Sequence, residues 1–267
     1  AIHGSGAASG TYTLAITCAA PCTPLTVNDD CVDAEALTLV LNDGLSIPTT
    51  GDNTCAFNDL NPTCNLVGNI QGVWYTFNSG VNSIAYLDLL DDGYGYGATN
   101  LSYVLYDGIC APLSANNEID CATLSEGEDI LLPALTMNTD YRLLVYNSGG
   151  IGTEGTFGVQ VTVPAQFDAG IDSVHYPNDL VCTSNIAAVV ELRNYGAVAL
   201  TSVDILYSFD GGAPQTFSWT GNLAFNASEL VELPPTLLAQ GPHTLSVSTS
   251  LPNGEVDQIP DRKSTRL

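Results

Sequence analysis

The sequence has 267 residues, of which 45% are hydrophobic and only 13% are charged, and this composition excludes an intrinsically disordered chain. Asp and Glu number 29 against 5 Lys and Arg, so the formal net charge is −24. Because such a surface repels phosphate, we expect no nucleic-acid partner, and because no stretch approaches about 20 apolar residues, we expect no membrane insertion.

Residues 1–23 contain one half of an internal repeat. Residues 5–17 read SGAASGTYTLAIT and residues 148–162 read SGGIGTEGTFGVQVT. Both combine a Ser-Gly turn with Gly-Thr-aromatic and alternating apolar residues, which is typical of a turn that leads into a strand. Since the second copy closes a long β region, we interpret residues 1–23 as the last strand and linker of a truncated, similar β-sandwich. The alternative is a chance similarity between two Gly-rich turns.

Residues 24–164 are predicted to form one β-sandwich with a jelly-roll-like architecture. Short segments rich in Tyr, Val, Thr and Leu alternate with turns rich in Gly, Asn, Asp and Pro. The predicted strands are 36–41, 71–77, 83–90, 101–107, 128–132, 141–147 and 155–163. No stretch of ten or more residues has a helical period, although residues 31–37 are compatible with one helical turn. The chain is therefore predicted to be all-β.

Residues 165–260 are predicted to form a second, immunoglobulin-like β-sandwich after a short linker near 164–168. The predicted strands are 169–176, 186–193, 201–208, 214–220, 229–233 and 243–250. Residues 210–212 read DGG, the composition of a tight hairpin turn. About seven strands in roughly 95 residues are typical of an immunoglobulin-like sandwich.

The last seven residues, 261–267, differ from the rest of the chain. They read DRKSTRL and hold three of the five basic residues. The peptide resembles the in-frame translation of a sequencing-adapter oligonucleotide, so we interpret it as an artefact that follows Pro260 in a fragment of a longer protein. The alternative is a genuine basic tail.

The cysteines favour an oxidising compartment, extracellular or at the cell surface, because there are eight of them and none forms a CxxC pair. Cys110 and Cys121 bracket a ten-residue loop. A bridge that closes such a loop contributes roughly 2–3 kcal/mol. We therefore predict a disulfide between Cys110 and Cys121.

The other six cysteines leave the connectivity open. Only one internal pair is available among the three that remain in the first predicted sandwich: Cys31, Cys55 and Cys64. The third of these cysteines bonds either Cys18 or Cys22. Alternatively, Cys18 and Cys22 bond each other. Cys182 has no evident partner in its own domain, so either its partner lies beyond the sequence or it is a buried free thiol.

Two groups of segments carry resemblances to known families. Those in the first group are 28–31, 73–77, 103–108, 141–145 and 155–157. Through them, residues 28–163 resemble the bacterial pre-peptidase C-terminal modules that are common in Bacteroidetes surface proteins. Those in the second group are 168–171, 190–196, 200–203 and 210–212. Through them, residues 166–260 resemble adhesion-type, CARDB-like immunoglobulin-like modules. Both resemblances imply tandem non-catalytic modules of secreted or surface proteins, often attached to peptidases.

Motifs for catalysis are absent from the sequence. His3, His175 and His243 fall in different segments, and neither G-x-S-x-G nor H-E-x-x-H occurs. Two carboxylates that meet in space can hydrolyse a glycoside, but no motif supports such a pair among the 29 acids. We therefore expect that this chain is not itself an enzyme.

Acidic turns are the candidate metal sites. Calcium binds several carboxylate and carbonyl oxygens, and two acidic segments offer them without the spacing of an EF-hand. The candidate calcium ligands are Asn28, Asp29, Asp30, Asp91 and Asp92. The alternative is that these residues are solvated turn residues and that the negative charge serves solubility.

Tyr94, Tyr96 and Tyr103 are the candidate ligand-binding residues, because exposed tyrosines on loops stack on sugar rings or anchor a protein partner.

The predicted function is a non-catalytic extracellular module pair, which serves a larger protein as a spacer, adhesion or substrate-targeting region. The alternative is an accessory domain that binds polysaccharide or peptide for a hydrolase, such as a peptidase, whose catalytic domain lies outside this sequence. The expected partners are a glycan or protein ligand and neighbouring domains of the same chain.

Overall fold

The computed structural model confirms the all-β prediction. It describes residues 27–56, 62–64, 70–110, 117–123, 129–148, 153–177 and 181–260, together with the backbone of residues 264–266. Within these ranges the chain forms nineteen β-strands, short 3-10 turns and no α-helix. One of the 3-10 turns, Cys31–Asp33, lies where the sequence predicts a helical turn.

Ten strands build the first sandwich: β1 (Glu35–Ala36), β2 (Val40–Leu41), β3 (Thr49–Asp52), β4 (Gly72–Asn78), β5 (Tyr86–Leu90), β6 (Leu101–Asp107), β7 (Glu118–Thr123), β8 (Ile130–Leu131), β9 (Asp140–Asn147) and β10 (Thr156–Val163). Sheet I has the order β1-β4-β9-β6-β7. Sheet II has the order β2-β10-β5-β8, and β3 also pairs with β10. The strands β4, β5, β6, β8, β9 and β10 lie where the sequence predicts strands.

Sheets I and II face each other across the main core. Val73, Tyr75 and Phe77 of β4 point into it, because alternate residues of a strand lie on the same face. The rings of Tyr75 and Phe157 meet edge to face with centroids 6.3 Å apart, and the rings of Phe77 and Tyr141 stack at 5.5 Å. Since full burial of one large apolar side chain stabilises a fold by roughly 1.5–3 kcal/mol, this core holds the two sheets together.

Sheet I is also buried on its outer face. A second hydrophobic cluster lies there: Cys31, Ile70, Trp74, Val104, Tyr106, Leu144 and Tyr146. The ring centroids of Trp74 and Tyr106 are 5.5 Å apart. The chain from Asn28 onward runs along the edge of β4, where the Trp74 N–H donates to the Asn28 carbonyl at 2.7 Å, and it then brings Cys31 onto this face.

The predicted strand at 36–41 is wrong as a single element. The chain pairs in parallel with β4 of sheet I at β1 and in parallel with β10 of sheet II at β2. Leu37, between the two strands, is buried in the main core, and its N–H donates to the Thr76 carbonyl at 2.8 Å. One short segment therefore lies at the edges of both sheets, so it changes sheets instead of continuing as one strand.

Four strands before residue 260 carry no clear sequence signal and were not predicted separately: β3, β7, β12 and β17. Glu118 and Asp120 lie in β7, and Gly51 and Asp52 lie in β3, although acidic residues and glycine are depleted in strands. The strands β12 (Asn185–Ile186) and β17 (Thr236–Leu237) are two residues long, which is too short for a periodic pattern.

The second sandwich contains these two strands and seven others: β11 (Ala169–Tyr176), β13 (Val189–Asn194), β14 (Leu200–Phe209), β15 (Gln215–Leu223), β16 (Ser228–Glu232), β18 (Leu245–Ser250) and β19 (Ser264–Arg266). Sheet III has the order β11-β13-β16, sheet IV has the order β15-β14-β18-β19, and β12 pairs with β17. Leu192, Ile205 and Trp219 belong to its own hydrophobic cluster. All six strands predicted here overlap observed strands.

The hairpin turn predicted at residues 210–212 is confirmed. Asp210 and Gly211 have φ angles of +53° and +68°, and the Gly212 N–H donates to the Phe209 carbonyl at 2.9 Å. Two successive left-handed residues are typical of the tight turn whose twist matches that of an antiparallel strand pair. This turn therefore connects β14 directly to β15.

Two predictions concern segments at the chain ends. The strand predicted within residues 1–23, and His3 with it, lies outside the described residues. The backbone of β19 pairs with β18. This pairing does not test the origin of residues 261–267, so their interpretation as translated adapter stays a prediction. Within the described ranges, no helix is long and apolar enough to cross a membrane.

Gly51 allows β3 to lie directly over the aromatic side chains of the main core. A Cβ atom at this position would overlap the Tyr75 hydroxyl and the Phe157 ring. We therefore expect Gly51→Ala to lower the free energy of unfolding by about 1–3 kcal/mol, the usual cost of overpacking a core. Chemical denaturation measures the change. The matched control is Gly97→Ala, whose Cβ would meet Thr156 Oγ1 at 3.5 Å, an ordinary contact. Equal stability of the two variants would contradict this account.

Candidate ligand-binding site at the junction of the two sandwiches

Two disulfides fasten chain segments to the outer face of sheet I. Cys31 bonds Cys110 with Cα atoms 5.6 Å apart, and Cys64 bonds Cys121 with Cα atoms 6.2 Å apart. Cys31 belongs to the outer hydrophobic cluster, and Cys110 and Cys121 pack against it. Structural disulfides are typical of proteins outside the reducing cytoplasm. The extracellular or surface location in particular stays a prediction.

The predicted disulfide between Cys110 and Cys121 is wrong. The spacing along the chain suggested it, but strand pairing sets Cys121 opposite Val104 in β6. Val104 and Asp107, which ends β6, are already roughly 10 Å apart along the strand, whereas a disulfide needs Cα atoms within about 7 Å. Cys110, which follows β6, bonds Cys31 instead, and Cys121 bonds Cys64.

Two cysteines of open connectivity are also described. Cys55 is disulfide-bonded. Cys182 is a free thiol, and it is exposed, so the alternative of a buried free thiol is wrong.

The predicted calcium ligands near the start of the first sandwich serve its backbone. Asn28 is buried, and its Nδ2 donates to the Trp74 carbonyl at 2.9 Å. Asp29 is partly exposed and Asp30 is exposed. The Asp30 carbonyl accepts the N–H of Asp33 at 2.9 Å, which closes the 3-10 turn. The side-chain amide of Asn28 is therefore engaged in holding sheet I.

Asp91 and Asp92, the other predicted calcium ligands, begin the 3-10 turn Asp92–Tyr94. Asp91 is buried, and its Oδ1 accepts the N–H of Gly93 at 3.1 Å. Asp92 is exposed. In the part of the chain that the structure describes, no three His, Cys, Asp or Glu side chains are grouped so as to hold a metal ion. Calcium binding therefore stays a prediction.

The three predicted tyrosines do not form one ligand-binding surface. Tyr103 is buried in the main core, where its hydroxyl donates to Asp120 Oδ2 at 2.6 Å and burial raises its pKa. The prediction that Tyr103 binds a ligand from a loop is therefore wrong. Tyr96 packs against Gly158 of β10. Tyr94 is 54% exposed in its turn and is the accessible member of the group.

A cleft at the junction of the two sandwiches is the candidate ligand-binding site. Its aromatic and polar lining comes from both sandwiches and from the linker: Asn42, Tyr86, Asp168, Tyr195, Phe225 and Asn226. The cavity volume is about 80 Å³, well below the roughly 300–1,000 Å³ of sites that enclose a small molecule. The cleft therefore fits the edge of a bound group rather than a whole molecule.

Polar residues of sheet II continue from this cleft along β5. Asp88 lies two residues after Tyr86, on the same face of the strand. It pairs in register with Gln160 of β10, whose Nε2 donates to Asp88 Oδ2 at 3.0 Å. The Asp129 carboxyl lies within hydrogen-bonding reach of Asp88. Burial, together with the neighbouring Asp129, raises the pKa of Asp88 to about 7, so Asp88 holds its proton to a higher pH than an exposed carboxyl does.

The two described histidines do not activate a nucleophile. His175 Nε2 lies 3.2 Å from Glu191 Oε2, and Ser173 Oγ donates to the same oxygen at 3.0 Å. The serine and the histidine thus both bind the acid, whereas a catalytic triad places the histidine between the other two. His243 pairs with Asp210 at the β14–β15 turn, 2.7 Å away. The absence of enzymatic activity itself stays a prediction.

The cleft and the carboxyl pair were not predicted from the sequence. The cleft residues come from separate turns, and Asp88 meets Asp129 only because β5 and β8 are neighbours in sheet II. One signal was available for Asp88. The residues of β5 read YLDLL, and this alternation places Tyr86 and Asp88 together on the face opposite the core.

Comparisons with known proteins show distant similarity only. No protein-family model matches the sequence, and a search of curated proteins finds no match. Solved structures that align include a GH2 β-galacturonidase from Eisenbergiella tayi, with 11% identity and a TM-score of 0.28 over 76% of this chain and 41% of that chain. A β-D-mannosidase from Dictyoglomus thermophilum aligns with 12% identity and a TM-score of 0.34 over 74% of this chain and 29% of that chain.

A third alignment, to red sea bream transglutaminase, has 12% identity and a TM-score of 0.27 over 83% of this chain and 31% of that chain. In all three alignments, less than half of the solved structure is covered. At these TM-scores the similarities carry no argument about what the chain binds or catalyses.

The raised pKa of Asp88 predicts a pH dependence of stability. Because the folded chain binds this proton more tightly than the unfolded chain, stability falls as the pH rises from about 4 to about 7. Asp88→Asn removes the charge and keeps an oxygen acceptor for Gln160. We expect this variant to be more stable than the wild type by about 1 kcal/mol above pH 7, since partial exposure screens the repulsion, and equally stable near pH 4.

Thermal and chemical unfolding between pH 4 and pH 8 check this expectation. The control is Asp33→Asn, which removes the same charge from an exposed position and is expected to give no such pH-dependent gain. Parallel pH profiles for Asp88→Asn and the wild type would show that Asp88 does not retain its proton.

Proposed function

We propose that this chain is a non-catalytic pair of β-sandwich modules that acts as a rigid spacer in a larger secreted or cell-surface protein. The observation that carries the proposal is the linker at residues 164–168, whose backbone is hydrogen-bonded to the second sandwich and whose side chains reach the first. Relative motion is the usual expectation for two domains joined by a linker. The contacts of this linker oppose such motion.

One side of the linker pairs with the loop that follows β13. The Ala197 N–H donates to the Ala165 carbonyl at 2.8 Å, and the Val198 N–H donates to the Gln166 carbonyl at 3.2 Å. Gly196 lies so close that a Cβ atom there would be 2.8 Å from both the Gln166 carbonyl oxygen and the backbone nitrogen of Asp168. The absence of a side chain at residue 196 therefore permits this contact.

A buried amide fixes the shape of this loop. Asn194 is 1% exposed, and its Nδ2 donates at 3.0 Å to the carbonyls of Val198 and Leu223. Its Oδ1 accepts the N–H of Gly196 at 3.0 Å. Because three backbone groups depend on one buried side chain, the loop presents a defined surface to the linker.

The other side of the linker is held by Gln258. Its Oε1 accepts the N–H groups of Gln166 and Phe167 at 2.7 Å and 3.1 Å. The backbone N–H of Gln258 donates to the Phe167 carbonyl at 3.1 Å. The linker backbone is thereby incorporated into the second sandwich rather than left as a tether.

Contact with the first sandwich completes the junction. Gln166 Nε2 donates to Asn82 Oδ1 at 2.8 Å, while Pro164 and Ala165 are buried. Because the linker is ordered by the second sandwich and hydrogen-bonded to the first, it holds the two sandwiches in one relative orientation. The pre-peptidase C-terminal-like and CARDB-like resemblances support this role, because they imply tandem modules without catalytic residues.

Gln258→Ala tests the rigid junction. The change removes the acceptor of two linker N–H groups, and we expect a loss of about 1–2 kcal/mol in stability together with a larger spread of module orientations. Small-angle X-ray scattering and residual dipolar couplings measure that spread. Gln240→Ala is the control, since Gln240 is exposed in the same sandwich and no linker contact depends on it. If wild-type couplings already require independent reorientation of the two modules, the spacer proposal fails.

A second candidate function is an accessory domain that binds a neutral glycan, and the composition of the junction cleft favours it. Aromatic rings pack on the C–H faces of sugars, and a few polar groups that converge in a cleft fix the orientation of a ligand. Tyr86 supplies a ring, while Asn42 and Asn226 supply amides for hydroxyl groups. The net charge of −24 disfavours anionic sugars.

Titration with neutral oligosaccharides, followed by NMR chemical shifts, tests this second function. We expect shifts at the cleft and a loss of affinity of at least about tenfold in Tyr86→Ala. Tyr94→Ala is the matched control, because Tyr94 is an exposed tyrosine of the same sandwich outside the cleft lining. Unchanged affinity in Tyr86→Ala would exclude the cleft, and a loss in Tyr94→Ala alone would assign binding to its turn.

A further inference from the structure

We propose that the outer edge of β15 pairs with the same edge of a second copy of this chain, so that sheet IV continues from one copy into the other. This interaction goes beyond the spacer function and does not depend on it. It rests on three properties of β15: its position, its lack of charge and its length.

The position of β15 leaves one of its two edges unpaired among the described strands. In sheet IV, β15 pairs only with β14, from Leu200 opposite Leu223 to Tyr207 opposite Gln215. The N–H and C=O groups of its other edge have no strand partner in the part of the chain that the structure describes. Such an edge is a template for another strand.

The other edge strands of the described sheets carry features that block pairing. Glu118 and Asp120 lie in β7, and Glu229 and Glu232 lie in β16. Two register shifts interrupt β11. The remaining edge strands have four residues or fewer. Charges, irregular pairing and short length are the usual protections of an edge.

In contrast, β15 is nine residues long and contains no charged residue. The uncharged stretch extends from 211 to 228, between Asp210 and Glu229. Pro214 precedes the strand, and a register shift between Leu200 and Ser202 of β14 disturbs its far end. These features limit the regular, pairable edge to roughly the first six residues, about the typical length of a strand.

Electrostatics favours this edge as the contact between identical chains. Two copies that each carry a net charge of −24 repel one another, and like charges at an interface oppose association. Repulsion is lower at a strand that carries no charged residue of its own; the Asp204 carboxylate that accepts the Ser218 hydroxyl at 2.6 Å belongs to β14, one strand away from the edge. An uncharged edge in a chain of this composition therefore fits a second copy of the same edge.

An antiparallel arrangement with its two-fold axis at Ser218 pairs the outer edges of both copies of β15. It places Thr216 of one copy opposite Thr220 of the other, and both threonines are exposed. Cross-strand threonine pairs stabilise a sheet modestly. The same patch serves both copies, as a closed two-fold dimer requires, while Trp219 stays buried in its own core.

Sedimentation equilibrium of the whole chain, from micromolar concentration to about 1 mM, tests the proposal. We expect a reversible dimer that strengthens with added salt, since salt screens the repulsion between the two chains. The variant Thr216→Glu/Thr220→Glu places carboxylates opposite one another in the dimer, and we expect it to raise the dissociation constant at least tenfold. The matched control is Thr50→Glu, an exposed threonine of the first sandwich, which we expect to dimerise like the wild type once the added charge is screened.

Hydrogen exchange at low and high protein concentration supplies an independent measurement. Amides within residues 215–220 are expected to exchange more slowly at high concentration in the wild type and in Thr50→Glu, but not in the double variant. A monomer at about 1 mM in high salt would overturn the proposal. So would a dimer that is unaffected by the double variant, or a dimer whose newly protected amides lie elsewhere. Far-UV circular dichroism confirms that the double variant is folded.

Discussion

The fold depends on a sheet that is apolar on both faces. Sheet II covers one face of sheet I with a continuous core. Trp74 and Tyr106 lie on the other face, and an open sheet cannot leave such side chains in water without a large loss of apolar burial. The disulfides Cys31–Cys110 and Cys64–Cys121 attach covering segments at this face. The cystines are therefore part of the layer that covers sheet I.

This constraint explains which elements could be predicted from the sequence. Strands of sheet I that are buried on both faces read as continuous apolar runs, as in VWYTF of β4, and strands buried on one face alternate. Both patterns were recognisable. The Cys110–Cys121 pairing failed because spacing along the chain carries no information on which segments meet at the outer face of sheet I. There Cys110 meets Cys31 and Cys121 meets Cys64, and these contacts follow from the assembled fold.

The candidate site was less predictable than the fold for the same physical reason. Tyr103 and Tyr94 are both tyrosines near glycine-rich turns, yet the first lies within a core strand and the second lies in a solvent-exposed turn. Asp88 has an ordinary sequence context, and its raised pKa arises because the fold buries it and because β8 brings Asp129 beside it. A sequence identifies residues that are able to do chemistry, whereas burial and cross-strand neighbours decide which of them are placed to do it.

The shortage of basic residues determines how this chain makes contacts between its modules. Only Arg142 and Arg193 precede residue 260, so ion pairs are not a general means of joining two acidic surfaces. The junction uses neutral amides instead: Asn82, Gln166 and Gln258 make the hydrogen bonds that fix the linker. Amide contacts retain their strength when salt or pH changes, because neither partner carries a charge. In the spacer that we propose, such contacts would keep one orientation of the modules although the surface of both is strongly acidic.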